Sequence, residues 1–141
     1  MVSTSGAQLL PQSAVRELRA HVLPITTILT PNVPEAKLLL SDAGHSIKDP
    51  QCVDDLINIA KAVQSLGPEY TLVKGGHLPL KSDGMIATGE AERELVVDIL
   101  YGNGEILRID SPYRKSRNTH GTGCSLACEY FYSNHYYSGF T

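Results

Sequence analysis

Apolar residues recur every three to four positions near the start of the chain, a spacing that places them on one face of a helix. On this basis residues 11–22 predict an amphipathic helix that ends at Pro24. Its apolar face carries Ala14, Leu18 and Val22. The β-branched run at 25–30 then predicts a short buried strand, which Pro31 breaks.

Two further helices are indicated by their end signals. Pro34 suits the first position of one helix, Glu35 falls in its first turn, and Gly44 suits its end. Asp49 is the expected N-cap of the other helix, which Gly67 closes. The apolar positions of this last helix recur at three and four: Val53, Leu56, Ile57, Ala60 and Val63.

Strand patterns follow the last of these helices in the sequence. Residues 70–73 form a short apolar run, and residues 95–100 and 105–109 flank the hairpin signal Tyr101-Gly102-Asn103-Gly104. Strands that alternate with helices are typical of an α/β fold. We therefore expect one domain, or part of one, with a mainly parallel sheet flanked by helices and a β-hairpin before a glycine loop.

Composition narrows the class of protein. Hydrophobic residues make up 42% of the 141 residues and charged residues 19%, which is typical of a globular chain. The net charge of −3 gives no basic field for nucleic acid, and no apolar run reaches the length of a membrane span. The sequence lacks a secretory signal, and its three cysteines have no zinc-finger spacing. Cytosol is the expected compartment.

The most informative chemistry lies in a glycine loop at residues 118–125. Gly121 and Gly123 free the backbone to turn sharply, and the residues after them can begin a helix. Several N–H groups would then converge on an anion, most often a phosphate, with the positive end of the helix dipole behind them. Cys124 lies at the end of this nest, where the same field favours its thiolate.

Polar residues also follow the two predicted strands that precede the hairpin. Asn32 and Glu35 follow the first and could hold Mg²⁺ through its waters, while Lys74 follows the second and could reach a polyphosphate. Each residue has a structural alternative: Glu35 favours a helix start, Lys74 suits a solvated strand end, and Cys124 suits a small buried position. Together with the glycine loop they favour phosphoryl transfer.

Three segments carry a family resemblance. They are Thr30-Pro31-Asn32-Val33-Pro34-Glu35-Ala36, Val73-Lys74-Gly75-Gly76-His77 and Asn118-Thr119-His120-Gly121-Thr122-Gly123-Cys124. In this order they resemble the signatures of the hydroxymethylpyrimidine/phosphomethylpyrimidine kinases of thiamine biosynthesis, in the ribokinase-like superfamily. Pyridoxal kinases usually carry Asp at the position of Cys124, so the resemblance is to the pyrimidine kinases.

The resemblance implies an ATP- and Mg²⁺-dependent kinase that phosphorylates the hydroxymethyl group of a small-molecule pyrimidine and then the monophosphate. Lys74 would neutralise nucleotide phosphates, with Thr119 also in the nucleotide site, and Asn32 and Glu35 would position Mg²⁺. Cys124 would stand at the position of the general base. The implied anion hole comprises Gly121, Thr122, Gly123 and Cys124.

The resemblance covers residues 1–127 and corresponds to the C-terminal half of that kinase domain. The segment that would bind the pyrimidine ring has no counterpart here. Residues 128–141 depart from the family pattern as an aromatic-rich, aberrant tail with six of the nine aromatic residues. We therefore expect a truncated kinase that is inactive alone.

Two alternatives stay open from the sequence. One is a pyridoxal kinase-like vitamin kinase. The other is a non-catalytic nucleotide-binding module whose exposed sheet edge recruits a partner. Assembly into a homo-oligomer is also left open.

Overall fold

The computed structural model describes residues 10–76 and 78–115. The glycine loop at 118–125 and the aromatic-rich tail at 128–141 lie outside these residues. The described residues therefore form the segment that precedes the glycine loop.

The predicted first helix is present but is not regular. Helix α1 spans Gln12–Glu17 and continues as one π-helical turn, Leu18–Val22, and one 3-10 turn, Leu23–Ile25. The chain remains helical past Pro24, where the sequence predicted an end. Proline lies in the first turn of the 3-10 segment, where its missing N–H leaves no helical hydrogen bond unmade.

Strand β1 is confined to Ile28–Leu29, because the 3-10 turn takes up the start of the longer run predicted at 25–30. Helix α2 follows at Val33–Asp42, with Asn32 as its N-cap and a proline in its first turn. The predicted second helix is therefore confirmed, but it begins at Val33, one residue before the predicted Pro34. After α2 the chain turns at Gly44, whose φ is 87°. The helix thus ends close to the glycine that was expected to stop it.

Helix α3 spans Val53–Gln64, and its N-cap is Cys52 rather than the predicted Asp49. The preceding residues are held in an extended conformation by a neighbouring loop: Cys52 forms a β-bridge with Met85, and the N–H of Val53 donates to the carbonyl of Gly84 at 3.2 Å. The prediction of Asp49 was wrong because these contacts come from a segment distant in sequence, which local capping rules cannot include.

Four strands form one sheet in the order β1-β2-β3-β4. They include β2 at Tyr70–Val73, β3 at Leu95–Gly102 and β4 at Glu105–Pro112. Strand β1 pairs with β2 in parallel, whereas the β2–β3 and β3–β4 pairs are antiparallel. The α/β arrangement is confirmed, but within the described part of the chain the sheet is mixed rather than mainly parallel.

The hairpin predicted between β3 and β4 is confirmed. Asn103 and Gly104 occupy its tip with φ values of 51° and 79°. Two successive positive φ values define the turn whose twist matches that of paired strands, and Asn-Gly is its preferred sequence.

The core lies between one face of the sheet and the helices. Helix α3 packs on β2 and β3, α2 packs against α3, and α1 contacts α2. The buried side chains at the centre include Leu40, Leu56, Ala60, Val63, Val73, Val97 and Ile99. Strand β4 forms an edge of the sheet and is exposed along most of its length.

Strands β2 and β3 approach each other unusually closely just past the end of β2. A Cβ atom added at Gly75 would lie 2.1 Å from the carbonyl oxygen of Val97. Gly76, the next residue, has nothing within 4 Å of the same added atom. The first glycine of the pair is therefore required by packing, and the second is not.

We expect Gly75→Ala to destabilise the fold by about 1–3 kcal/mol or more, because backbone must move to admit the methyl group. Gly76→Ala is the matched control and should change the free energy of unfolding by no more than about 0.5 kcal/mol. Urea unfolding of the two variants measures the difference. Equal stability of both would contradict the required close approach.

Candidate functional site

The structure places two of the sequence-predicted site positions side by side. Asn32 and Lys74 form a parallel β-bridge just beyond the β1–β2 pair, and the N–H of Lys74 donates to the carbonyl of Pro31 at 2.9 Å. The N-terminus of α2 and the lysine therefore share the edge of the sheet where β1 and β2 end. In α/β sheets this carboxyl edge is where ligands bind.

Asn32 and Glu35 form a capping box at the start of α2. The Oδ1 atom of Asn32 accepts from the N–H of Glu35 at 2.8 Å, and the N–H of Asn32 donates to Oε2 of Glu35 at 3.0 Å. Each side chain thus satisfies a helix N–H or N-cap N–H that would otherwise lack a partner. Local structure alone accounts for this pair of residues, and it also fixes where their oxygen atoms lie.

The donor chemistry of this pair fits a hydrated Mg²⁺. Amide and carboxylate oxygens are ligands that Mg²⁺ accepts, and Mg²⁺ keeps several waters when it binds through one or two carboxylates and substrate phosphates. Among residues 10–76 and 78–115, no group of three or more His, Cys, Asp and Glu side chains could enclose a metal. The oxygen atoms of Asn32 and Glu35 suit an ion that is also held by phosphates and water.

Asp98 of β3 also lies beside these residues, and sequence reasoning missed it. Its Oδ1 atom accepts from the N–H of Gly75 at 2.8 Å. Val73 pairs with Ile99 in antiparallel register. The next residue of the chain, Lys74, therefore lies opposite Asp98. Burial raises the pKa of Asp98, and the Gly75 N–H and the charge of Lys74 act in the opposite direction.

A signal for Asp98 was present in the sequence. It is the one charged residue in the apolar run Val96-Val97-Asp98-Ile99-Leu100. A carboxylate in the middle of a strand costs solvation free energy, so it needs a partner or a function. The partner, Gly75, is 23 residues away in sequence, and only the fold brings the two together.

The remaining predicted site residues are not placed by the structure. Gly121, Thr122, Gly123, Cys124 and Thr119 all lie outside the described residues. Their roles therefore stay predictions. In the part of the chain that is described, no helix combines the length and the apolar character that crossing a bilayer requires.

Comparison with known proteins gives a family match along most of the chain. The profile of the phosphomethylpyrimidine kinase family matches residues 1–129. The chain is 41% identical to the chloroplastic thiamine biosynthetic bifunctional enzyme of Arabidopsis thaliana over 90% of its own length and 21% of that enzyme's. It is 32% identical to the hydroxymethylpyrimidine/phosphomethylpyrimidine kinase of Bacillus subtilis, over 90% and 40% of the two chains. It thus spans less than half the length of these relatives.

Solved structures confirm the expected ribokinase-like fold. The fold is similar to Bacillus subtilis pyridoxal kinase in an ADP complex, with a TM-score of 0.65 and 27% identity over 90% of this chain and 42% of that one. It is also similar to the phosphomethylpyrimidine kinase of Clostridium difficile, with a TM-score of 0.56 and 33% identity over 79% of this chain and 39% of that one.

The pKa of Asp98 predicts an inverted pH dependence of stability. A folded-state pKa above the ordinary 3.8 means that the folded protein binds the proton more tightly than the unfolded chain does. Ionised Asp98 therefore costs stability at pH 7, and this cost disappears as the pH falls through the raised pKa. We expect Asp98→Asn to have a higher free energy of unfolding than the unaltered chain at pH 7, with the gap closing towards pH 3.8.

Asp55→Asn is the control of opposite sign. The N–H of Gln51 is the main cause that lowers the pKa of Asp55, so ionised Asp55 contributes stability above 3.8 and loses it as the pH falls. Its replacement should lower stability at pH 7. Urea unfolding between pH 4 and pH 7 measures both variants, and the same sign for both would contradict the burial of Asp98.

Proposed function

The chain belongs to the phosphomethylpyrimidine kinase family, and from this membership we propose that it supplies the nucleotide-phosphate end of a kinase site. The proposed reaction is ATP-dependent phosphorylation of hydroxymethylpyrimidine and of its monophosphate in thiamine biosynthesis. The observation that carries the proposal is the placement of Lys74 beside the capped N-terminus of α2 on one edge of the sheet. A lysine and a helix N-terminus together attract phosphate.

Each residue of the proposed site has a distinct task. Lys74 offsets the negative charge of the nucleotide phosphates. Asn32 and Glu35, fixed by their capping box, would hold Mg²⁺ through its waters, and the ion would supply positive charge against the phosphates.

Residues of the glycine loop complete the proposed chemistry. Main-chain N–H groups at Gly121, Thr122 and Gly123 would stabilise the phosphoryl group in transfer, and Thr119 would contact the nucleotide. Cys124 would take the proton from the substrate hydroxyl. The neighbouring solved kinase with ADP bound supports nucleotide use by this fold.

Most of the wider assignments follow from the same family membership. We propose residues 1–127 as the C-terminal part of a kinase domain and 128–141 as a tail, and the family match over residues 1–129 supports the first of these while extending two residues into the second. The partners would be ATP and the pyrimidine. The cytoplasm is proposed from the sequence and not from family membership, since the Arabidopsis thaliana relative is chloroplastic. Activity of this segment by itself is not expected, because no residue in it is assigned to the pyrimidine ring.

A pyridoxal kinase is the second candidate. It is favoured by the higher TM-score of the Bacillus subtilis pyridoxal kinase, 0.65 against 0.56 for the Clostridium difficile phosphomethylpyrimidine kinase. The pyrimidine kinase is favoured by its higher sequence identity, 33% against 27%, and by the family match along residues 1–129. Cys124 in place of the aspartate usual in pyridoxal kinases points the same way.

We expect the chain to bind ATP in the presence of Mg²⁺, and Lys74→Ala to weaken this binding roughly tenfold to a hundredfold, because a charge-assisted phosphate contact is lost. Isothermal titration calorimetry measures the Kd. Lys81→Ala is the matched control: Lys81 pairs with Glu92 in the loop between β2 and β3, and its loss removes the same charge. If both variants weakened binding equally, net charge would explain the binding, and the proposed role of Lys74 would be wrong.

A graft tests the chemistry and the choice between the two kinases. Residues 1–129 would replace the matching segment of the Bacillus subtilis hydroxymethylpyrimidine/phosphomethylpyrimidine kinase and, separately, of the Bacillus subtilis pyridoxal kinase. We expect the pyrimidine kinase to keep the larger fraction of its kcat/KM. In that graft Cys124→Ala should lower kcat by roughly 10²–10⁴-fold, the usual contribution of a general base.

Cys52→Ala is the control for the cysteine substitution, because Cys52 lies at the start of α3 and away from the glycine loop in sequence. It should leave the rate unchanged. A larger retained fraction in the pyridoxal kinase would favour the second candidate, and an active Cys124→Ala graft would remove the proposed base.

A further inference from the structure

The backbone of Lys74 is held from both sides. Its own N–H donates to the carbonyl of Pro31 at 2.9 Å, on the side of β1. The next N–H along the chain, that of Gly75, donates to the carboxylate of Asp98 at 2.8 Å, on the side of β3. Two successive amides thus connect the lysine to both neighbouring strands.

The contact with β3 is made by a side chain because the regular ladder has ended. Backbone pairing between β2 and β3 stops at Val73 and Ile99. Beyond it the chain turns, and the N–H of Leu78 donates back to the carbonyl of Gly75 at 2.8 Å. Among the described residues, Asp98 therefore supplies the acceptor that holds the end of β2 from the β3 side.

Sterics make this contact sensitive to position. Gly75 lies so close to Val97 that a Cβ atom would approach its carbonyl oxygen to 2.1 Å. The backbone at Gly75 therefore lies against β3 at the point where Asp98 accepts its hydrogen bond, so this bond holds the residue next to Lys74 against β3. Asp98 is also a half-buried carboxylate, at a position where burial disfavours its charge.

We infer that Asp98 is a positioning residue, which fixes the end of β2 and so holds Lys74 where nucleotide phosphates bind. The inference rests on the proposed function, because that function identifies the ligand as a nucleotide. It goes beyond that function by assigning a role to a residue on the hairpin, outside the three signature segments. Asp98 acts through the Gly75 amide and does not itself contact the phosphates.

Two substitutions separate the hydrogen bond from the charge. Asp98→Ala removes the acceptor, and we expect ATP–Mg²⁺ to bind roughly five- to tenfold more weakly, the scale of one lost hydrogen bond. Asp98→Asn keeps an acceptor oxygen and should bind within about twofold of the unaltered chain. In a Lys74→Ala background, Asp98→Ala should have little further effect, since the lysine it positions is gone.

A second measurement reports on position without any ligand. Hydrogen exchange at the Gly75 amide, followed by NMR, should be faster in Asp98→Ala and unchanged in Asp98→Asn. Leu100→Ala is the matched control: Leu100 is a half-buried residue two positions along the same strand, and its truncation weakens β3 without removing the acceptor. Leu100→Ala should change neither the exchange rate of the Gly75 amide nor the Kd for ATP.

The outcomes separate this inference from the proposed function. If the unaltered chain binds no ATP, the proposed function fails, and the ligand assigned to Asp98 fails with it. If it binds ATP and Asp98→Ala binds equally well, or if Leu100→Ala weakens binding as much, the inference is overturned while the function stands. Additive effects of Asp98→Ala and Lys74→Ala would also overturn it.

Discussion

The backbone contact between β2 and β3 at Gly75 is the constraint on which the rest of this structure depends. A residue with a side chain at this point would hold the two strands apart, because its Cβ atom would lie 2.1 Å from the carbonyl oxygen of Val97. At this close approach the Gly75 amide lies 2.8 Å from the Asp98 carboxylate, to which it donates. The absence of a side chain at Gly75 thus permits the contact that joins the end of β2 to β3.

The proposed site is assembled from groups that also stabilise the fold. Asn32 and Glu35 satisfy the start of α2, and the bridge from Asn32 to Lys74 extends the parallel pairing of β1 and β2 by one step. Because these side chains already have partners, their oxygen atoms are fixed before any ligand arrives. Such preorganisation reduces the free energy that binding must spend on ordering the site.

Asp55 and Asp98 show that carboxylates with similar hydrogen bonds can have opposite effects on stability. Asp55 accepts from the Gln51 amide at the exposed start of α3, and this hydrogen bond lowers its pKa, so its charge contributes stability. Asp98 makes a similar bond to an amide, but burial outweighs it and raises its pKa. A buried carboxylate with a perturbed pKa is more common at functional positions than elsewhere.

The sequence by itself determined the features that depend on neighbours in the chain: the proline-marked start of α2, the strand β2, and the Asn103-Gly104 hairpin. The family resemblance added the three signature segments. Only the tertiary structure decided the mixed direction of the sheet, the start of α3 at Cys52 and the pairing of Asp98 with Gly75. Capping and turn preferences act over about four residues, whereas these contacts join residues more than twenty apart, and their geometry exists only once the strands are packed.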